Sequence, residues 1–451
     1  LKKIKLILQT QNTKILNLIN DLHWKELNKK LSFFPANYQF TPAFNKGKWD
    51  GRINLMRGNI FPTGLASRAI EYLKGAGYKI EIEDQRIKPL GKVEYNWVFP
   101  HSLRDYQENA VKEFIKAGRG CVVIPTAGGK SAIAMRIIYE LKLPFLYLVH
   151  TKEARESARE DMVKCLGIEP DTDKLSDKAM VTIQSIVNPR AKLAKEIIDK
   201  KYSVLIIDEL HRTASDKYYK VLMNIPSYYR FGMTATHERG DGAYLRLLAI
   251  TGKVLYREKP KTLVNRGFLA KPIIRWIDYE TKEMSPYDDY RTAYRLGIIE
   301  CEERNIKIIE AALFLLKQNK IILIIVENIR HGKLLEKLFS SAGIFVPFIN
   351  GTMSNKKRKK SHEDFLHGKI RCAIATKIYD ESINLPKLNS IIMGAGGESS
   401  IRAQQRIGRE LRISEGKNTA EYFDFKDLSH RILESHYYNR RRILEKIYGK
   451  N

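Results

Sequence analysis

From about Gly120 to Thr236 the chain alternates short apolar runs with longer stretches of helical period, the pattern of a parallel sheet with crossover helices. The strands this predicts are Cys121–Ile124, Phe145–Val149, Met180–Ile183, Val204–Ile207 and Arg230–Met233. After a connecting region a second series follows, at Ile321–Val326, Val346–Ile349, Cys372–Ala375, Ser390–Met393 and Glu421–Phe425. Between strands, Ile306, Ile309, Leu313 and Leu316 share one helical face, as do Leu334, Leu335, Leu338 and Phe339. Two α/β lobes joined by a linker are therefore expected. The first hundred residues lack this alternation. Rich in aromatics and glycine turns, they read as a small α+β domain ending near Trp97–His101, where Pro100 and Ser102 precede a helix from about Leu103. The expected division is 1–98, 99–258 and 259–451.

Composition sharpens this picture. The 451 residues exceed what one core usually organises, and 43% are hydrophobic, enough for ordinary globular cores. A formal net charge of +28 points to a polyanionic partner held partly by counterion release. A Lys-, Ile- and Asn-rich composition can also follow from AT-rich coding, which would leave part of the excess as solvated surface. Cys121, Cys165, Cys301 and Cys372 are widely separated and form no CxxC pair, so neither zinc nor a disulfide framework is expected. The basic opening Leu1–Lys5 meets polar residues before any apolar run reaches signal-peptide length, and no run is long enough to span a membrane. A cytoplasmic setting is the expectation.

Chemistry concentrates at two strand ends. After Cys121–Ile124 comes Pro125-Thr126-Ala127-Gly128-Gly129-Lys130-Ser131 and then a helix. Small residues there let backbone N–H groups approach phosphate oxygens, and the helix N-terminus adds its positive dipole end. Lys130 would meet the β- and γ-phosphates of ATP, and Ser131 would hold Mg²⁺. Ile124 stands where the full pattern has its first Gly. The apolar run Val204–Ile207 ends in Asp208-Glu209-Leu210-His211, with two carboxylates at the edge where open α/β sheets bind ligands. Asp208 can hold Mg²⁺ and Glu209 can polarise an attacking water.

Taken together these residues resemble superfamily 2 helicases of the DExH type, over about Leu103 to Ile413 and in the family's order. The resemblance implies two tandem RecA-like parallel-sheet lobes preceded by the small α+β domain, and an ATP-dependent motor on nucleic acid. It assigns adenine recognition to Arg104-Asp105-Tyr106-Gln107, and motifs I and II to Pro125–Ser131 and Asp208–His211. Leu148–Thr151 and Thr182-Ile183-Gln184-Ser185 resemble backbone-gripping segments, which makes Thr151, Thr182 and Gln184 candidate nucleic-acid contacts. Thr234-Ala235-Thr236 matches the motif that couples nucleotide state to grip, a role that His211, Glu381 and Asn384 would share. Ala375–Pro386 resembles motif V and supplies Thr376 as a further grip, with Ser382 where Gly is common. Gln405-Arg406-Ile407-Gly408-Arg409-Glu410-Leu411-Arg412 fits QxxGRxxR, so Arg409 and Arg412 are arginine-finger candidates and Gln405 a sensor. A guanidinium stays charged and forks onto phosphate oxygens, which suits that task.

The amino-terminal segment Phe44–Arg52 resembles that of the phage UvsW-type branch-migration helicases, which implies forked or four-way DNA as partner, a host-cell cytoplasm and a monomer. In physical terms it is a glycine turn presenting Lys46, Lys48 and Arg52 beside Trp49, suited to phosphate contact and base stacking, or else filling a small core. Arg440-Arg441-Arg442 reads as a solvated terminal helix, with a phosphate contact as the alternative. The core motifs do not separate DNA from RNA, and a non-catalytic nucleic-acid-binding protein is the rival of another class.

Overall fold

The computed structural model describes residues 2–17, 20–172, 175–187, 192–235, 242–280, 284–376, 387–397, 408 and 417–449. It divides into two compact units, Leu1–Ile124 with Gly129–Glu258, and Pro125–Gly128 with Lys259–Asn451.

The first unit begins with a small mixed sheet. β1 (Lys3–Leu8) pairs antiparallel with β2 (Asn12–Ile15); β3 (Ser32–Phe33) and β4 (Ile53–Asn54) make a separate two-stranded ribbon. β5 (Ile60–Pro62) and β6 (Lys79–Asp84) complete the order β5-β2-β1-β6. Alternation buries Ile4 and Leu6 of β1, and they join Leu27 and Leu73 from the helices Asp21–Lys30 and Ala66–Gly75.

The larger sheet of this unit contains β7 (Arg119–Val123), β8 (Phe145–Val149), β9 (Lys178–Thr182), β10 (Val204–Ile207), β11 (Tyr229–Thr234) and β12 (Val254–Arg257). All its pairings are parallel, in the order β12-β7-β11-β10-β8-β9. Every residue of β8 and β10 is buried, as expected of strands covered on both faces. Five of these strands match the sequence expectation, while β12 was not foreseen. It lies at the sheet edge and none of its residues is fully buried, so it lacks the apolar run that marks the others.

The apolar core of the small sheet continues into that of the larger one. At their seam a Cβ on Gly64 would lie 2.1 Å from the Leu248 carbonyl oxygen and 2.4 Å from that of Ala249, an approach only glycine allows. Arg119 spans the same seam, donating to the carbonyls of Thr10, Thr251 and Ile250.

The second unit is built on β13 (Lys271–Ile277), β14 (Ile322–Ile325), β15 (Phe348–Ile349), β16 (Cys372–Ala375), β17 (Ser390–Met393) and β18 (Thr419–Phe425). This sheet too is all parallel, ordered β13-β18-β17-β14-β16-β15. The edge strand β13 was likewise not foreseen. Pro272 near its start is tolerated because an edge strand has only one neighbour to bond.

At the carboxyl ends of β17 and β18 lies a buried ionic cluster. Arg304 donates to Asp427 at 2.9 Å and to the Gly394 and Met393 carbonyls at 2.7 and 3.3 Å. Arg440, on the terminal helix Arg431–Tyr448, donates to Asp424 at 3.0 and 3.1 Å, to Asp427 at 3.0 Å and to the Gly397 carbonyl at 3.1 Å. The Tyr279 hydroxyl donates to Asp427 at 3.0 Å. Arg440 is only 2% exposed, so it belongs neither to a solvated face nor to a phosphate contact. Three consecutive helical positions point about 100° apart, and one member of such a run can face the core. Arg441 instead pairs with Glu445 on the helix surface.

Candidate nucleotide and nucleic-acid site

The loop after β7 turns sharply. Gly128 N–H donates to the Pro125 carbonyl at 2.9 Å, Ala127 takes φ 67° and Gly129 takes φ 80° before the helix Lys130–Leu141 begins. A left-handed alanine costs about 1 kcal/mol or more, so this backbone is held against local preference. Gln107 packs directly over it: a Cβ on Gly129 would come within 2.2 Å of the Gln107 Nε2. The Gln107 Oε1 accepts from the Arg104 N–H at 2.9 Å, and the Arg104 guanidinium donates to the Tyr106 hydroxyl at 3.0 Å. Arg104 and Gln107 are thus tied to each other, with Gln107 against Gly129, the residue that precedes Lys130 and Ser131.

In the first unit β10 delivers the acid pair. Its register sets Ile207 level with Leu148 of β8 and Gly232 of β11, and Asp208 N–H donates to the Leu148 carbonyl at 2.9 Å. The Asp208 Oδ1 accepts from Glu209 N–H at 2.9 Å, and Glu209 itself takes φ 46°. The Lys130 Nζ stands 3.8 Å from the Glu209 Oε1. His211 Nδ1 lies 3.2 Å from the Glu209 Oε2 and 3.1 Å from the Thr234 Oγ1. A chain of polar contacts therefore runs from Lys130 through Glu209 and His211 to the end of β11.

Electrostatics separate the two acids. Burial, together with neighbouring Glu209, pushes the Asp208 carboxyl up to about 6, although Lys130 pulls the other way. Burial would raise Glu209 as well, but Lys130 and His211 outweigh it and hold that carboxyl well below the usual range. Ser131 and Asp208 offer hard oxygen donors of the kind Mg²⁺ takes, and a divalent cation would relieve the repulsion that raises Asp208.

A groove of about 290 Å³ opens where β9 ends, lined among others by Lys152, Arg155, Thr182 and Ser185. Thr151 caps the helix Lys152–Leu166 through its hydroxyl, accepting from Ala154 N–H at 3.1 Å. Gln184 is exposed nearby in sequence, on the short helix Ile183–Ile186. Lys152 and Arg155 were missed by motif matching, yet they stand one helical turn apart just after β8, a legible cationic pair. In the second unit Thr376 follows β16 and is half-buried.

Lys46 and Lys48 are exposed in the amino-terminal region. Trp49 and Arg52 are engaged internally: the Trp49 indole donates to the Arg52 carbonyl at 2.8 Å, and the Arg52 guanidinium lies 4.1 Å from the Phe34 ring centre and donates to Ser32. Thr236, Glu381, Asn384, Gln405, Arg409 and Arg412 lie outside the described residues.

Three family models match the chain: "DNA helicase UvsW, N-terminal" over residues 4–83, "Type III restriction enzyme, res subunit" over 100–239, and "Helicase conserved C-terminal domain" over 304–414. The chain is a UvsW-like superfamily 2 helicase. The helicase is 25% identical to the DNA 3'-5' translocase XPB2 of Sulfurisphaera tokodaii, over 69% of its own length and 78% of that protein. It is 23% identical to the ATP-dependent DNA helicase uvsW of Enterobacteria phage T4, over 89% of its length and 86% of the relative. In fold it is similar to the DNA-bound ATP-dependent Type ISP restriction-modification enzyme LlaBIII, with a TM-score of 0.60 and 15% identity over 77% of this chain and 30% of the other. Among the described residues no helix is long and apolar enough to cross a membrane, and no three or more His, Cys, Asp and Glu side chains cluster as a ready-made metal cage.

Proposed function

We propose that this helicase couples ATP hydrolysis to movement on DNA and acts at forks or four-way junctions. The observation that carries the reading is the polar chain from Lys130 through Glu209 and His211 to Thr234, which joins the phosphate loop to the end of a neighbouring strand. In this reading the loop amides and Lys130 hold the β- and γ-phosphates, and Ser131 and Asp208 would hold Mg²⁺, whose chemistry there would be to neutralise phosphate charge. Glu209, kept ionised beside Lys130, orients the attacking water and accepts its proton. His211 then reports the state of Glu209 to Thr234, so a change at the phosphate reaches a strand end without any new element having to form. Arg409 and Arg412 supply the further charge at the γ-phosphate, with Gln405 sensing it.

On the DNA side, Lys152, Arg155 and Thr182 grip one strand through its phosphates, with Thr151, Gln184 and Thr376 as further contacts. Such contacts read the backbone and not the bases, which suits a motor that must pass any sequence. Lys46 and Lys48 meet a second arm. The amino-terminal sheet shares a core with the motor lobe, so this second grip sits at a fixed distance from the first.

Comparing ATP hydrolysis and strand separation on forks, four-way junctions, plain duplex and RNA hybrids tests the proposal. Forks and junctions are expected to stimulate most, and Lys130→Ala to abolish all activity. Equal stimulation by plain duplex, or preference for the RNA hybrid, would overturn the branched-DNA reading.

A further inference from the structure

The segment from Phe34 to Arg52 carries five aromatic rings, and four of them are committed to holding its shape. Phe34 stacks on Tyr38 at 4.6 Å, Tyr38 meets Phe44 edge-on at 5.0 Å, and Trp49 bonds the Arg52 backbone. Arg52 closes the stack from below by lying over Phe34. Gly51, at φ 82°, lets the chain pass beneath Tyr38, where a Cβ would come within 2.5 Å of the ring.

Phe40 differs from the other four. It ends the 3-10 turn Tyr38–Phe40 and is 73% exposed. Among the described residues it makes no ring contact. The turn beneath it is fixed nonetheless: the Thr41 hydroxyl and N–H both donate to the Tyr38 carbonyl, at 2.7 and 3.1 Å, and Pro42 starts the next short helix.

A single exposed phenylalanine needs no explanation by itself. One raised on a braced stack of rings, with exposed Lys46 and Lys48 on the same small module, does invite one. Tyr287 and Phe345 are still more exposed, but Tyr287 is followed by Asp288 and Asp289, and Phe345 stands among apolar neighbours with no adjacent cation. The base of the module is seated on the motor lobe, since a Cβ on Gly242 would come within 2.7 Å of the Phe34 carbonyl oxygen. Arg246 of that lobe lies 5.4 Å over the Phe33 ring.

We propose that Phe40 is a stacking platform for the base exposed at a DNA branch point, with Lys46 and Lys48 holding the flanking phosphates. This rests on the reading of the protein as a motor on branched DNA. A flat ring accepts any base, and phosphate contacts carry no sequence, so the module recognises the branch and not what is written there. Its rigidity matters because an ordered ring loses little freedom on stacking.

The test uses the full chain and a fork with 2-aminopurine at the branch, whose fluorescence falls when a ring stacks on it. Binding is read without ATP, alongside Phe40→Ala, Phe40→Leu and Phe40→Trp, each checked for an unchanged melting temperature. Wild type and Phe40→Trp are expected to quench the probe. Phe40→Ala and Phe40→Leu are expected to lose the quench and to bind the fork roughly 5- to 100-fold more weakly. A Phe40→Leu variant that binds and quenches like wild type would overturn the proposal, because leucine keeps the apolar surface and lacks the flat face. Because binding is measured without turnover, the Phe40 result stands even if wild type fails to prefer forks in unwinding. That second failure would count against the branched-DNA reading alone.

Discussion

Each unit of this helicase gathers acids and cations at the carboxyl ends of its parallel strands, but the two gatherings are built on opposite principles. In the second unit Arg304 and Arg440 face Asp424 and Asp427, two charges against two, all at most 2% exposed and tied together by short hydrogen bonds. In the first unit Lys130 stands 3.8 Å from Glu209, the neighbour of Asp208, and Glu209 keeps 30% of its side chain open. Burial raises the carboxyl of Asp424 as it does that of Asp208, yet Arg440 opposes the shift by direct bidentate contact. A charge cluster completed from within serves the fold. One whose acids meet Lys130 only at 3.8 Å and stay partly open to solvent has room for a cation and a phosphate to complete it.

The largest expected effect separates these two by function. Lys130→Ala and Glu209→Gln should each lower DNA-stimulated ATP hydrolysis by about a hundredfold or more, with melting temperatures close to wild type. Loss of folding in either variant would show that the first cluster is structural as well.

Next comes the reverse case. Arg440→Met strands Asp424 in the interior and should cost about 3–5 kcal/mol in a urea titration. Adding Asp424→Leu removes the stranded charge and leaves Arg304 with Asp427, so the double variant should regain most of that loss. If the double variant is no more stable than the single one, the second cluster is not the self-contained unit described here.

A smaller effect has the opposite sign. Asp208 titrates near 6 in the folded chain and near 3.8 when unfolded, so between those values the folded state holds more protons. This group's contribution is therefore most favourable below about 3.8 and is lost as pH rises through about 6. Asp208→Asn should raise the metal-free melting temperature at pH 7.5 by about 1–3 °C while abolishing hydrolysis. A lower melting temperature would show that Asp208 is already balanced within the protein.

The smallest effect concerns His331, whose Nε2–H donates to the Asn305 Oδ1 at 2.8 Å. Burial, with Arg304 adding to it, pushes its imidazole down to about 3 from 6.5. Unfolded chains then bind the extra proton, so the stability it supports is present above 6.5 and falls away as pH drops toward 3. Melting curves at pH 7 and pH 5 should differ less for His331→Gln than for wild type.

Much of this architecture was legible in residue order, and the two strands that were not share a cause. Strands such as Val204–Ile207 are covered on both faces and read as unbroken apolar runs. β12 and β13 are edge strands, where partial exposure admits Arg257, Lys271 and Arg275 and blurs the signal. Lys130, Asp208 and Glu209 could be found because phosphate chemistry demands those types directly after a strand. Arg440 was misread because a run of like charges reveals nothing about which member turns inward, and its partners Asp424 and Asp427 lie more than ten residues away. The contact of His211 with Thr234 spans 23 residues and depends on β10 and β11 being neighbours, which only the sheet order establishes.

Gly64 carries one more implication. Because the Leu248 and Ala249 carbonyls occupy the space a side chain would need, the amino-terminal sheet cannot swivel on the lobe beneath it without breaking the backbone fit. If DNA is held at the outer turn as proposed, force on it is delivered straight into the lobe that carries Lys130 and Glu209, as through a crowbar and not a tether. A side chain at position 64 would have to displace those carbonyls, and the leverage would go with the seat.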